Sequence, residues 1–417
     1  MRKSCFVKTF LLIVLFSLFF VSPTYVFGEE LRWIMPNILD ELGTKNYDQI
    51  FIDENQWKNI LPKVNVFSFF PQTIDREGNI ILPQAIPLLQ KYNVALEVGA
   101  GYPQSGGCGI DTGKIAATYH LTFLKKIYDY GGRIDYLSVD GAMLGTMQSK
   151  QYGGCEFTTN QAVKALVDYI KTIHATYPDI KIGIIVNFPN WPYKETPNYW
   201  GGTLHGNLPD YSVVLEKAIA GINAAGEKIY YVNTDNPYDY AIATHPSSNV
   251  DVKKIDWLGR IIDLEKQVKS HGLKFGLMYN SETGASVSDQ QYYEDTINYI
   301  NLYKSRGGAP DYSIIESWYT RPSNLFPDNQ PYTFTYLVAN VFSNASIPTP
   351  TPTQPSCSLK SQGDANCDGV VNMIDYFYLV RALNGGKIPS SVNPDFNGDG
   401  EIGLSDRSII VKTLRAK

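Results

Sequence analysis

An α/β fold, specifically a (β/α)8 (TIM) barrel followed by a small all-α unit, is what this 417-residue sequence predicts. Three observations predict it. Eight short, nearly continuous apolar runs recur between residues 29 and 346, as strands buried on both faces of a parallel sheet require. Amphipathic stretches of helical period alternate with them. The rival doubly wound sheet would need a switch point and usually a Gly-rich phosphate loop, and neither is found.

The strands read, in order, Arg32-Trp33-Ile34-Met35, Val64 to Phe69, Val94 to Val98 and Asp135 to Asp140. Ile182 to Asn187, Ile229 to Asn233, Phe275 to Tyr279 and Ser313 to Glu316 complete the set. The clearest helix carries Ala162, Ala165, Leu166, Tyr169, Ile170 and Ile173, spaced i, i+3, i+4, i+7, i+8 and i+11, with Thr158 or Thr159 as cap. Further helical patterns cover roughly 81–91, 114–130, 211–225, 253–270, 288–305 and 331–342.

Residues 1–28 read as a secretory signal. Arg2 and Lys3 precede the apolar run from Phe10 to Val21, and Val26-Phe27-Gly28 offers a cleavage site. No later stretch is long and apolar enough to span a bilayer, so no membrane span is expected after cleavage. Four cysteines remain after the signal. The expected pairs are Cys108 with Cys155 and Cys357 with Cys367, in an oxidising compartment. Residues 347–356, with alternating Pro and Thr, read as an extended spacer between the barrel, residues 29–346, and a C-terminal unit, residues 357–417.

That unit holds two copies of a 12-residue calcium loop. In the first, Asp364, Asn366, Asp368, Asn372 and Asp375 place oxygen ligands at positions 1, 3, 5, 9 and 12. Gly369 permits the turn at position 6 and Val370 offers its carbonyl at position 7. In the second, Asp395, Asn397, Asp399 and Asp406 repeat positions 1, 3, 5 and 12, with Gly400 at the turn and the Glu401 carbonyl at position 7. Two Ca²⁺ ions are the expected cofactors, since a hard cation takes 6–8 oxygens.

With Asp rather than Glu at position 12, the tandem loops resemble the type I dockerin family. That resemblance implies two EF-hand-like loop-plus-helix repeats and a cohesin domain of a scaffold or cell-surface protein as partner. Arg381 and Lys412 match that family's basic position 18. The pair at loop positions 10 and 11 departs from its small hydroxyl residues, being Met373-Ile374 and Leu404-Ser405.

Barrels of this kind carry their sites at the C-terminal strand ends. There the sequence supplies Glu97, Asp140, Asn187 with Trp191, Asp235, Tyr279 with Glu282, and Glu316 with Trp318. Carboxylates, amides and aromatics converge, whereas none of the five His sits at a strand end. A His-based metal centre or Ser-His-Asp triad is therefore disfavoured, and no barrel cofactor is expected. Net charge of −5 gives no support to nucleic-acid binding.

Paired carboxylates beside aromatics suit glycosidic cleavage, one protonating the leaving oxygen and the other attacking carbon or activating water. The barrel resembles the large clan of retaining (β/α)8 glycoside hydrolases, which implies Asp140 as acid/base and Glu282 as nucleophile, although Val139-Asp140-Gly141 departs from that clan's Asn-Glu. Glu316 can replace either partner. A second barrel clan, with Asp on strands 4 and 6, implies Asp140 and Asp235. Asn187, Trp191, Asp235, Tyr279 and Trp318 are the expected polysaccharide contacts. The competing reading is a non-catalytic polysaccharide-binding or structural barrel on the same scaffold.

Overall fold

The computed structural model describes residues 30–36, 47–101, 107–201, 207–342, 360–365, 371, 373–383, 388 and 392–415. The signal, the spacer and the Cys357–Cys367 pair lie outside the described residues. The chain divides into two compact units, Met1–Ser343 and Asn344–Lys417. No helix among the described residues is long and apolar enough to cross a membrane.

The first unit is a closed barrel of eight parallel strands in sequential order. They are β1 (Leu31–Pro36), β2 (Val66–Phe69), β3 (Ala95–Gly101), β4 (Tyr136–Asp140), β5 (Lys181–Asn187), β6 (Tyr231–Asp235), β7 (Lys274–Tyr279) and β8 (Tyr312–Ser317). β1 pairs with both β2 and β8, which closes the ring.

The helices of this unit are α1 (Pro71–Lys91), α2 (Thr112–Asp129), α3 (Leu144–Met147), α4 (Thr159–Thr176) and α5 (Tyr211–Ala224). They continue with α6 (Tyr238–Ala241), α7 (Trp257–Ser270), α8 (Glu282–Val287), α9 (Asp289–Ser305) and α10 (Phe334–Phe342). Thr158 caps α4 through a reciprocal bond pair with Gln161, as its sequence predicts. α1 starts ten residues before the expected 81. Pro83 and Pro87 inside it hide its length from pattern reading, because proline normally ends a helix.

Side chains alternate along each strand, so every second residue enters the barrel. The N-terminal end is filled by Trp33, Tyr136, Tyr231 and Tyr312, with Trp33 centroids 5.1, 5.7 and 5.2 Å from the three tyrosine rings. Each such tilted pair adds about 0.5–1.5 kcal/mol beyond the area it buries. Gly183 makes room for this plug: a Cβ there would stand 2.2 Å from the Tyr231 ring. The next layer includes Met35, Ser68, Glu97, Ser138, Ile185, Asn233, Met278 and Ile314. The expected Cys108–Cys155 disulfide is present and joins the segments after β3 and β4.

The second unit has helices α11 (Met373–Leu383) and α12 (Leu404–Arg415). Ala365, Val371, Leu379, Val392, Phe396 and Ile410 form its core.

Candidate active site

The inward alternation carries on to the C-terminal rim. Two residues beyond Ser138, Ile185, Asn233, Met278 and Ile314 stand Asp140, Asn187, Asp235, Asn280 and Glu316. Asn187 and Asp235 are register partners across β5 and β6. Asn280 Nδ2 lies 2.5 Å from Glu316 Oε2 and 3.4 Å from Asp235 Oδ1, while Asn187 Nδ2 lies 3.4 Å from Asp235 Oδ2. The Tyr292 hydroxyl donates to the Glu316 carbonyl and fixes the end of β8.

These carboxyls hold protons more tightly than usual. Burial pushes Asp235 up to about 7, assisted by the charge of Asp140 and opposed by the Asn280 amide. Burial, then Asp235, raises Glu316 well above the ordinary range. Asp140 is open to solvent, yet protein surrounds it in the mouth, and this desolvation raises it to about 6 against a bond from the Gly141 N–H. One layer down, Glu97 is 1% exposed and neither carboxyl oxygen accepts a hydrogen bond of normal geometry. Its burial raises it to about 7, tempered by the nearby Ser138 and Ser68 hydroxyls.

Beside this floor is a hollow of about 330 Å³. Asn187, Asn190, Asp235, Glu282, Trp200, Tyr240 and Tyr319 line it, with two prolines. Glu282 opens α8, where Ser281 caps the helix. The Tyr240 hydroxyl donates to Glu282 Oε2 at 2.8 Å, and that of Tyr319 lies 3.5 Å from the same oxygen. The Tyr240 ring stacks on His245 with centroids 4.1 Å apart. His245 Nδ1 lies 2.8 Å from Asp239 Oδ2, and Asp239 also accepts from Thr283 Oγ1 and the Glu282 N–H.

His245 and Tyr240 belong to the candidate site and were missed by sequence reasoning. Neither lies on a strand; the turn of α6 after β6 brings them to the rim. Ligand atoms of Asp239, His245 and Glu282 come within 4.8 Å of one another, a grouping the histidine count did not anticipate.

The structure brings Asp140, Asn187, Asp235 and Glu282 to one mouth and corrects other expectations. Tyr279 follows the inward Met278 and therefore points outward; it is fully buried against Tyr299 at 5.2 Å and cannot touch a ligand in the mouth. Trp191 is 1% exposed and packs on Tyr211, its carbonyl accepting from Arg260 Nη2. Glu316 is only 4% exposed and is held by Asn280 in the floor, so it is not placed to attack or protonate a ligand in the hollow. Trp318 is 40% exposed beside Phe70, and Trp200, half-buried, is an aromatic wall of the hollow.

In the second unit, Asp364, Asp375 and Asp406 are buried. Asp406 Oδ1 accepts from Phe396 N at 2.7 Å, and Asp375 Oδ1 accepts from Ala365 N at 2.9 Å, the same bond from position 2 to position 12 in each repeat. Asp395 receives the N–H groups of Gly398 and Gly400, Asn397 that of Asp399, and Asp399 that of Glu401. Asn366, Asp368, Val370 and Asn372 lie outside the described residues.

Residues 362–415 match the dockerin type I domain. Such domains bind calcium in general and bind cohesin domains, and proteins bearing them are typically extracellular or at the cell surface. No curated protein matches the chain. The barrel is similar to a glucosidase from Croceicoccus marinus, at 10% identity over 75% of this chain and 67% of that one, with a TM-score of 0.44. It is also similar to a beta-glucosidase from Thermotoga maritima in complex with castanospermine, at 14% identity over 70% and 89%, TM-score 0.39. D-psicose 3-epimerase from Clostridium cellulolyticum H10, with D-tagatose, shares 10% identity over 69% and 84%, TM-score 0.37. Likeness this distant describes a shared barrel and says nothing of the reaction.

Proposed function

We propose that the chain is a secreted glycoside hydrolase acting on polysaccharide, held on a cohesin-bearing scaffold by its calcium-binding dockerin. The observation that carries this reading is the hollow that Asp235 and Glu282 both line beside Trp200, Tyr240 and Tyr319, with no Lys or Arg among its lining residues. Asp235, raised to about 7, is the proton donor to the leaving oxygen. Glu282, accepting from Tyr240, is the carboxylate that attacks carbon or activates water. Asp140 acts through Asp235, its charge helping Asp235 keep its proton. Trp200, Tyr319 and Trp318 offer faces for sugar rings, and Asn187 offers an amide.

In the dockerin, the donor set is all oxygen, which fits Ca²⁺ rather than a thiophilic metal. Asp395, Asn397, Asp399, the Glu401 carbonyl and Asp406 would hold one ion. Asp364, Asn366, Asp368, the Val370 carbonyl, Asn372 and Asp375 would hold the other. Bound calcium supplies the positive charge that draws each set of acidic side chains together.

The test is reducing-sugar release by the full chain across a polysaccharide panel, compared with Asp235→Asn and Glu282→Gln. Both substitutions are expected to abolish release while leaving binding to insoluble glycan nearly intact. Binding without release by the unaltered protein would replace this reading with that of a non-catalytic binding module.

A further inference from the structure

A second groove, of about 500 Å³, is bordered by the loop after β5 and by α7, and shares no lining residue with the hollow. Five cations line it: Lys194 in the loop, Lys254 before α7, Arg260 and Lys266 on α7, and Arg306 after α9. Two carboxylates, Asp256 and Asp263, stand among them. The lining is therefore positive, in a chain whose net charge is −5.

The ion pairs leave positive charge uncompensated. Lys194 and Lys266 share the single carboxylate of Asp263 at 3.7 and 3.6 Å, both beyond hydrogen-bond length. Arg306 is held by Asp256 at 2.6 Å, and Lys254 by Asp251, which lies outside the lining, at 3.0 Å. Arg260 forms no ion pair among the described residues. It is 6% exposed, its Nη1 and Nη2 donate to the carbonyls of Pro197 and Trp191, and its Nε finds no acceptor. Asp210, whose charge acts on it, is bonded to Ser212 instead. Burial draws Arg260 down to about 10, so it stays cationic at neutral pH. A buried charge without a counter-ion is costly, and an anion in the groove supplies one.

The lining chooses among anions. Its one aromatic, Tyr193, is 1% exposed, so no open ring face is offered to a nucleic-acid base. A lone phosphate fills little of such a volume. A uronate strand brings one carboxylate per ring for the cations, hydroxyls for Thr196, and ring faces for Ile255 and Ile262. The segment from Pro189 to Trp200 also joins the two sites: Pro189, Asn190 and Trp200 line the hollow, whereas Tyr193, Lys194 and Thr196 line the groove. We propose that the groove is a second glycan-binding site, which takes carboxylate-bearing sugar strands. The choice of a glycan among polyanions rests on the reading of the barrel as glycan-acting; the demand for an anion does not.

The experiment is calorimetric titration of the full-length protein at neutral pH with oligogalacturonate, its uncharged methyl ester, polyglutamate and inorganic phosphate. Oligogalacturonate is expected to bind about tenfold or more tightly than each of the others. Reversing two exposed charges, in Lys194→Glu with Lys266→Glu, is expected to weaken it about tenfold or more while the thermal transition of the barrel stays in place. High salt weakens it as well. If that variant does not fold, Lys266→Gln together with the salt series decides. No binding of oligogalacturonate, equal binding of the ester, or unchanged affinity in the variant overturns the proposal. Polyglutamate binding as tightly would make the groove a docking surface for acidic peptides, and phosphate binding as tightly a simple anion site; either overturns it. Uronate binding that the variant weakens, without sugar release from any glycan, removes the hydrolase reading and leaves the groove. Sugar release without uronate binding removes the groove alone.

Discussion

Tyr240 donates its hydroxyl to Glu282 Oε2 across 2.8 Å while its ring stacks on His245. One residue from the turn after β6 thus touches both the carboxylate at the end of β7 and the Asp239–His245 pair. A hydrogen bond to a charged group contributes about 1.5–3 kcal/mol. Tyr240→Phe is therefore expected to lower kcat roughly 10- to 100-fold with KM little changed, checked by steady-state kinetics on whichever glycan the panel identifies.

Asp140→Asn removes a charge that raises Asp235. Asp235 then loses its proton at lower pH, and the alkaline limb of the kcat/KM profile moves toward acid. Activity near pH 5 should change less than activity near pH 8, since the donor is protonated at the lower value in either protein. A limb that stays in place would assign the donor role elsewhere.

Glu97 is the clearest stability cost in the barrel. Its carboxyl is ordinarily half ionised near 4.5 and is raised to about 7 in the folded chain. The folded state therefore holds a proton that the unfolded state has released, and stability falls as pH rises across that interval. Glu97→Gln removes the loss and is expected to stabilise the barrel at pH 8 by on the order of 3 kcal/mol, with little effect at pH 4. Denaturant unfolding at the two pH values measures the difference.

The Cys108–Cys155 bridge closes a segment of 47 residues by sequence separation. Replacing both cysteines by serine is expected to destabilise the barrel by about 2–4 kcal/mol, read from the shift in urea midpoint.

Chelation addresses the other unit. EDTA should abolish a calcium-dependent thermal transition and cohesin capture, and leave the thermal transition of the barrel in place. Asp406→Ala should weaken the same transition, because its buried carboxylate also ties Phe396 and Gly403 into the loop. Differential scanning calorimetry with and without Ca²⁺ separates the two.

The sequence carried the eight strands in its apolar runs and the dockerin in its spaced oxygens. It also carried the rim residues Asp140, Asn187 and Asp235, which stand at strand ends whatever the exact register. It did not carry the direction of Tyr279, because a parallel strand is apolar on both faces and no polar alternation shows which side enters the barrel. Nor did it carry Tyr240 and His245, whose place depends on how the chain turns after β6. Trp191 was misjudged for a related reason: an aromatic in a loop after a strand can fold under the rim as readily as over it, and here Tyr211 holds it under.

The four rings that fill the lower end of the barrel close that end among the described residues. Nothing can thread through it. Were the ligand a long chain, it would rest across the brim with both ends trailing in solvent.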